Sequence, residues 1–197
     1  GLAGNDTLVA GARDASTLSG DAGDDLLFSA SSADRLSGGD GVDTLSFDRW
    51  SSALGQIIID NGSGTLSFGG GFSGIEKVVG TRFGDDLFIR AGAHSISGGG
   101  GDDVFRVWYH DLLSGDRFDG GAGSDTLAAF GDVDLTAAAL SNFEKLRLGY
   151  NAEDLPAGSV HTVLSALQVA TSLPSNLEVI GSLSVDHVVI EGSVGRA

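Results

Sequence analysis

Short apolar segments recur through residues 1–128, and each follows a turn rich in glycine and aspartate. The segments are three residues long with an apolar centre, as in Thr7-Leu8-Val9. Such segments are too short for helices, and glycine-rich turns bound them, so the pattern predicts short β-strands. One such unit cannot bury its apolar residue alone. The strands are therefore expected to stack into a solenoid with an inner ladder of Leu8, Leu27 and Leu45.

Turn and strand together fit a nine-residue pattern, Gly-Gly-x-Gly-x-Asp-x-apolar-x. Three segments fit it fully: 38–46, 98–106 and 120–128. Three others fit less completely, the first two with one substitution each and the third only in its second half: 1–9, 20–28 and 81–89. Most sixth-position aspartates lie about 18 residues apart, which is two nonapeptides. The intervening nonapeptides keep the apolar eighth residue but lose most of their glycines.

The charge of the chain narrows the possible partners. Asp and Glu number 27 against 11 Lys and Arg, which gives a net charge of −16. Such a surface repels nucleic acid and anionic membranes, so neither is an expected partner. The same charge opposes compaction, and hard cations are the natural ligands to neutralise carboxylate-rich turns. Cysteine is absent, which excludes disulfides and cysteine-based sites, and no apolar run is long enough to predict a transmembrane segment.

The full motifs resemble the calcium-binding nonapeptide of the RTX (repeats-in-toxin) family. The clear repeats cover about half of the chain. The resemblance implies an all-β fold, a right-handed parallel β-roll, with Ca²⁺ as the cofactor. In this family successive nonapeptides alternate between the two sides of the roll, and ions lie between a motif and the next but one. The resemblance therefore implies a single calcium column on one side, with the degenerate motifs on a metal-poor opposite side.

The residue types of the motif suit this chemistry. Glycine adopts positive φ and can turn carbonyl oxygens inward, and Ca²⁺ takes six to eight oxygen ligands. The predicted acidic ligands are Asp6, Asp25, Asp43, Asp86, Asp103 and Asp125. The predicted turn glycines of the metal sites are Gly4, Gly20, Gly23, Gly38, Gly41, Gly98, Gly101, Gly120 and Gly123. Four neighbouring acids either assist or face solvent: Asp24, Asp40, Asp85 and Asp102. The alternative is ordinary Asp/Gly turns without metal, which the degenerate motifs favour.

The repeat pattern divides the chain into four parts: β-roll over 1–46, a β insertion over 47–80, β-roll again over 81–128, and a β-rich solenoid extension without calcium motifs over 129–197. The insertion predicts either a β-hairpin around the Asn61-Gly62 turn signal or a wide coil within the solenoid. In the extension, two segments centred on Glu144 and Glu178 echo the one at Glu76, so we expect equivalent strands of a continuing solenoid.

The sequence predicts a structural module and no enzyme. Its four histidines are scattered, and no nucleophile-elbow, phosphate-loop or zinc motif occurs, so no catalytic residue is predicted. Trp108 and Tyr109 either bind a sugar or pack over the roll. The chain starts in mid-repeat, so we expect a longer parent protein.

The resemblance implies an extracellular location and a parent that is a secreted or cell-surface bacterial protein. We expect a calcium-binding module of an S-layer or adhesin-like protein, which folds on calcium after type I export. Its expected partners are calcium ions and either other copies of itself in a surface lattice or a cell-surface glycan. The alternative is the C-terminal folding and secretion module of a secreted enzyme or toxin whose catalytic domain lies outside this chain.

Overall fold

The computed structural model describes residues 1, 3–11, 14–51, 56–60, 63–66, 69–90, 94–108, 112–130, 133–135, 138–149, 161–165, 178–180 and 187–191. These residues form an all-β parallel solenoid of about six turns, consistent with a right-handed β-roll. The predicted fold class is confirmed. Within the described ranges no helix is long and apolar enough to cross a membrane.

Seven parallel strands form one wall of the roll, which we call sheet I. In sheet order they are β1 (Thr7–Val9), β3 (Leu26–Phe28), β5 (Thr44–Ser46), β9 (Lys77–Val79), β11 (Ser95–Ser97), β13 (Arg117–Asp119) and β16 (Ala139–Ser141). Their central residues point inward, so that Leu8 lies beside Leu27 and Leu27 beside Leu45. Leu27 and Leu45 are fully buried, which confirms the predicted leucine ladder.

Ten strands form the opposite wall, sheet II. In sheet order they are β2 (Thr17–Ala22), β4 (Arg35–Asp40), β8 (Gly71–Ser73), β7 (Ser63–Thr65), β6 (Gln56–Asp60), β10 (Asp86–Ile89), β12 (Val104–Trp108), β14 (Thr126–Phe130), β17 (Lys145–Gly149) and β19 (Glu178–Ile180). Only β7 runs antiparallel to its neighbours. The antiparallel pair of β6 and β7 is the predicted hairpin, although Asn61 and Gly62 themselves lie outside the described residues. The insertion therefore widens sheet II.

Phenylalanine side chains bridge the two walls. Phe105 of sheet II lies 6.1 Å from Phe118 of sheet I and 5.0 Å from Phe143, between ring centroids. All three are at most 1% exposed. A chain with only 7% aromatic residues thus places several of them at the centre of its core, where their large area contributes most to stability.

A second aromatic group stacks on the outer face of sheet II. Trp108 lies between Phe88 and Phe130, with centroid distances of 5.5 and 5.0 Å, and the rings are nearly parallel. The guanidinium of Arg90 lies 4.8 Å from the Trp108 ring centroid. Because the ring faces cover one another, these contacts support the packing interpretation of Trp108 over a sugar platform. Tyr109 lies outside the described residues.

Beyond the last motif the solenoid continues in part. Strands β17 and β19 extend sheet II, and β15 (Val133–Asp134), β18 (His161–Ser165) and β20 (His187–Glu191) form a separate parallel sheet. The predicted equivalence of the three glutamate segments is wrong in register. Lys145 pairs with Glu178, so the second and third segments are offset by one residue. The first continues into β9, which lies in the opposite wall.

Candidate metal centre

The intact motifs lie on two edges of the roll, not one. We call the turns that lead from sheet II into sheet I edge 1, and those that lead from sheet I into sheet II edge 2. The turns of Asp25 and Asp43 precede strands of sheet I, whereas those of Asp103 and Asp125 precede strands of sheet II. The predicted single-sided column is therefore wrong. After β5, a strand of sheet I, the chain enters sheet II at β6–β8, returns to sheet I at β9 and enters sheet II again at β10. The turn before β10 therefore leads from sheet I into sheet II, and the later motifs lie on edge 2.

The register of one predicted ligand also changes. Asp86 pairs with Val104 across β10 and β12, so Asp85 occupies the place equivalent to Asp103. Asp86 instead points outward, where its carboxylate accepts hydrogen bonds from Arg106 at 2.6 and 3.2 Å. The assignment of Asp86 to the aspartate row was wrong because Leu87 and Phe88 are both apolar, and either could fill the inward position.

Each row of aspartates is linked by hydrogen bonds between successive coils. We define the first column as Asp6, Asp25 and Asp43, and the second column as Asp85, Asp103 and Asp125. In both columns the Oδ1 of an aspartate accepts the backbone N–H of the aspartate one coil earlier, at 2.7 to 2.8 Å. These charge-assisted bonds fix the register of the coils, and they use only one oxygen of each carboxylate.

The second carboxylate oxygen is buried without a partner in four of these residues. The Oδ2 atoms concerned belong to Asp25, Asp43, Asp103 and Asp125. All four residues are at most 2% exposed. A buried carboxylate oxygen without a hydrogen bond or a cation is strongly unfavourable, so each such atom marks a place where a cation or a proton would be stabilising.

Backbone conformation distinguishes these four turns from a closed turn, which we define as one whose own donors satisfy its aspartate carboxylate. Their second residues all have positive φ: Asp21 at 76°, Gly39 at 119°, Gly99 at 98° and Gly121 at 102°. The turn of Asp85 has Thr81 at this position, which is not among the described residues with positive φ. There the Thr81 N–H donates to Asp85 Oδ2 at 2.7 Å, and the Thr81 hydroxyl donates to Oδ1 at 2.9 Å. This carboxylate is satisfied by its own turn.

Two further buried aspartates, which belong to neither column, are closed in the same way. Asp34 Oδ2 accepts hydrogen bonds from the hydroxyl of Ser29 and from the N–H groups of Ala30 and Ser31, at 2.9 to 3.0 Å. Asp116 Oδ2 accepts the Leu113 N–H at 2.8 Å. Donors within the turn replace a cation at these positions, so buried aspartate alone does not identify a metal site in this roll.

The predicted glycines have two distinct roles. The fourth-position residues Gly4, Gly23, Gly41, Gly101 and Gly123 all have positive φ, between 95° and 154°. The first-position residues Gly20, Gly38, Gly98 and Gly120 matter instead because they have no side chain. A β-carbon on any of them would lie within 3.0 Å of the motif's own aspartate Oδ2 and of a backbone carbonyl oxygen one coil later. Each first-position glycine therefore brings a carboxylate oxygen and a carbonyl oxygen into one small space.

The donor set fits a hard, oxygen-loving cation. No group of three or more His, Cys, Asp or Glu side chains converges within the described part of the chain. A cation in these turns would therefore combine one or two carboxylates with backbone carbonyls, which is the mixed oxygen set that Ca²⁺ accepts. Among the predicted ligands, the structure brings together Asp25, Asp43, Asp103 and Asp125 with their glycines, and it excludes Asp86 from the row.

Burial raises the pKa of three of these carboxyl groups. The pKa of Asp103 rises from 3.8 to about 7, chiefly by desolvation and then by the charges of Asp85, Asp125 and Asp102, while the hydrogen bond from the Asp85 N–H opposes the rise. The pKa values of Asp43 and Asp125 are raised as well, with burial the largest cause. Either a proton or a bound cation would offset the cost of burying these negative charges.

The metal-free protein is expected to become more stable as the pH falls from about 7 towards 5. A carboxyl whose pKa is higher in the folded chain takes up a proton on folding, so its stabilising effect is present below about 4 and is lost as the pH rises to about 7. The β content of the calcium-free chain, followed by far-ultraviolet circular dichroism in buffer freed of calcium by dialysis because chelators weaken in acid, measures this dependence.

Asp103→Asn is the control for this titration, because an amide cannot take up the proton. The variant should show a weaker dependence on pH over the same range. A calcium-free chain whose β content stays constant or rises between about pH 5 and 7 would contradict the assignment.

The comparison with known families agrees with this geometry. A family model described as the RTX calcium-binding nonapeptide repeat matches the chain in four copies, over residues 1–29, 11–45 and 113–135. The matched ranges include the turns of Asp25, Asp43 and Asp125. No curated protein matches the chain significantly. Together, the matched segments and the parallel roll around them show that this chain carries RTX calcium-binding nonapeptide repeats.

Proposed function

We propose that the chain is a calcium-binding structural module of a secreted or cell-surface bacterial protein, S-layer or adhesin-like, that folds on calcium after type I export. The observation that carries the proposal is the set of four buried carboxylate oxygens without partners. Calcium would be held by the aspartate carboxylates and turn carbonyls of both columns. Bound calcium would balance the negative charge of these buried carboxylates.

The export step follows from the difference in calcium between compartments. Extracellular calcium modules bind with dissociation constants on the order of 10⁻⁴ to 10⁻³ M, so their sites stay empty in the cytosol and fill outside. An unfilled chain with a charge of −16 and 32 glycines has strong reasons to stay unfolded. Binding to the folded state then stabilises it by mass action.

A surface protein is favoured over the secretion module of an enzyme by the shape of the roll. The insertion β6–β8 is built into sheet II, and β17 and β19 extend that sheet past the last motif. A longer solenoid of this kind supports a role in which the roll itself is the product. In that role the expected partners are other copies of the chain in a lattice or a glycan of the cell surface.

Asp25→Ala is expected to weaken calcium binding in the first column by at least about tenfold, because it removes an unpaired carboxylate oxygen and an acceptor for the Asp6 N–H. Isothermal titration of the full chain with calcium chloride measures the effect. Asp48→Ala is the matched control, because Asp48 is exposed and its substitution removes the same charge outside the columns. An isotherm that Asp25→Ala leaves unchanged would sink the proposal.

A further inference from the structure

Each aspartate column ends on a turn that does not carry the nonapeptide. We call residues 74–76 and 142–144 the cap turns. Glu76 Oε2 accepts the N–H of Asp43 at 2.9 Å, and Glu144 Oε2 accepts the N–H of Asp125 at 2.8 Å. Within a column the corresponding aspartate N–H donates instead to the Oδ1 of the next aspartate. A glutamate therefore stands in the place of the next aspartate at both column ends.

The cap turns also repeat the carbonyl of the motif. A β-carbon on Gly38 would lie within 3.0 Å of the carbonyl oxygen of Gly74 and the Oδ2 of Asp43. A β-carbon on Gly120 would lie equally close to the carbonyl oxygen of Asn142 and the Oδ2 of Asp125. Gly74 and Asn142 both have left-handed backbone, with φ of 59° and 55°. The two cap turns, whose surrounding sequences resemble each other, thus present the same oxygen at the same place.

The aspartate that faces each cap turn is buried and lacks a partner. Asp43 and Asp125 are 0% exposed, and neither Oδ2 has a hydrogen-bond partner. A simple capping glutamate would satisfy the backbone N–H but would place a second negative charge near each aspartate and leave its Oδ2 unpaired.

We propose that each cap turn closes an additional site for a hard divalent cation of the calcium type, with Glu76 and Glu144 as ligands outside the nonapeptide. The first site combines Asp43 Oδ2, the Gly74 carbonyl and the Glu76 carboxylate. The second combines Asp125 Oδ2, the Asn142 carbonyl and the Glu144 carboxylate. The inference rests on the proposed calcium-binding function and adds the ends of both columns to it. Each column would thus be filled to its last aspartate.

The test is calcium titration calorimetry of the full chain and of Glu76→Gln, Glu144→Gln and the double variant. Glutamine keeps an oxygen that can accept the aspartate N–H, so it removes the charge while preserving the hydrogen bond. Each single variant is expected to lose about one calcium equivalent, or to bind it at least about tenfold more weakly, and the double variant about two. Asp86→Asn, which removes a charge outside the columns, should keep the parental stoichiometry.

The outcomes separate this inference from the proposed function. If the double variant binds calcium with the parental stoichiometry and affinity while Asp25→Ala does not, the glutamates are hydrogen-bonding caps only and the inference is overturned. If the parental chain binds no calcium, the proposed function and the inference both fail. Should the double variant not fold at saturating calcium, the two single variants provide the same comparison, one column at a time.

Discussion

Removing calcium from the full chain is expected to abolish most of its β structure, and adding calcium back should restore it. Without a cation, four buried carboxylate oxygens have no partner. Leaving a buried polar group unsatisfied costs about 1–3 kcal/mol, and more if it is charged. Several such costs together approach the total stability of a typical domain, about 5–15 kcal/mol. Far-ultraviolet circular dichroism with EGTA, followed by excess calcium chloride, measures the change.

Sodium chloride at matched ionic strength is the control for this experiment. Salt screens the repulsion within a chain of charge −16, but it does not supply a ligand for a buried oxygen. Recovery in calcium and not in sodium is the expected pattern. A β signal that is already complete in EGTA would show that the roll folds without calcium, and recovery in sodium alone would assign the effect to charge screening.

Gly98→Ala is expected to remove calcium binding from the second column and to lower the melting temperature strongly. The new β-carbon would lie within 3.0 Å of the Asp103 Oδ2 and of the Gly120 carbonyl oxygen. Both are proposed ligands, and the carbonyl belongs to the next coil, so the coils would have to separate. Forcing a side chain into a filled space typically costs about 1–3 kcal/mol, before any loss of bound calcium. Thermal unfolding and calcium titration both report the effect.

Gly100→Ala is the matched control, because it lies in the same turn and introduces the same methyl group. The nearest atoms to its β-carbon are 3.7 Å away, which is an ordinary contact. Its backbone has no positive φ that an alanine would strain. We expect a change of less than about 1 kcal/mol and the parental calcium stoichiometry. Equal effects of the two variants would contradict the proposed placement of the ligands.

The sequence was sufficient for the fold class and for most of the aspartates in the two columns. A nine-residue pattern with glycine at fixed places constrains the backbone strongly, since few other sequences satisfy its positive φ angles. The inward leucine of each repeat then identifies the buried face without further information. The turns of Asp25, Asp43, Asp103 and Asp125 could be located on this basis.

The change of edge could not be predicted from spacing alone. The distance from Asp43 to the next aspartate row depends on how many times the chain crosses the roll within 47–80, and β6–β8 share one wall there. The register of Asp85 did leave a signal, because it lies 18 residues before Asp103, the spacing between Asp25 and Asp43. The closed turn at Thr81 depends on three-dimensional hydrogen bonds that a repeat alignment does not record. The similar sequences around Glu76 and Glu144 did signal related segments, but not their position at the ends of the columns.

The placement of the columns on opposite edges has a mechanical consequence. Each column would fasten its own stack of coils, the first up to the cap turn at Glu76 and the second from Asp85 onward. The strands of the insertion lie between the two stacks in sheet II, and neither column crosses them. A force that pulls along the axis of the roll would therefore meet two stiff blocks joined by a softer seam at β6–β8. Extension is expected to start at that seam, with calcium holding both blocks closed.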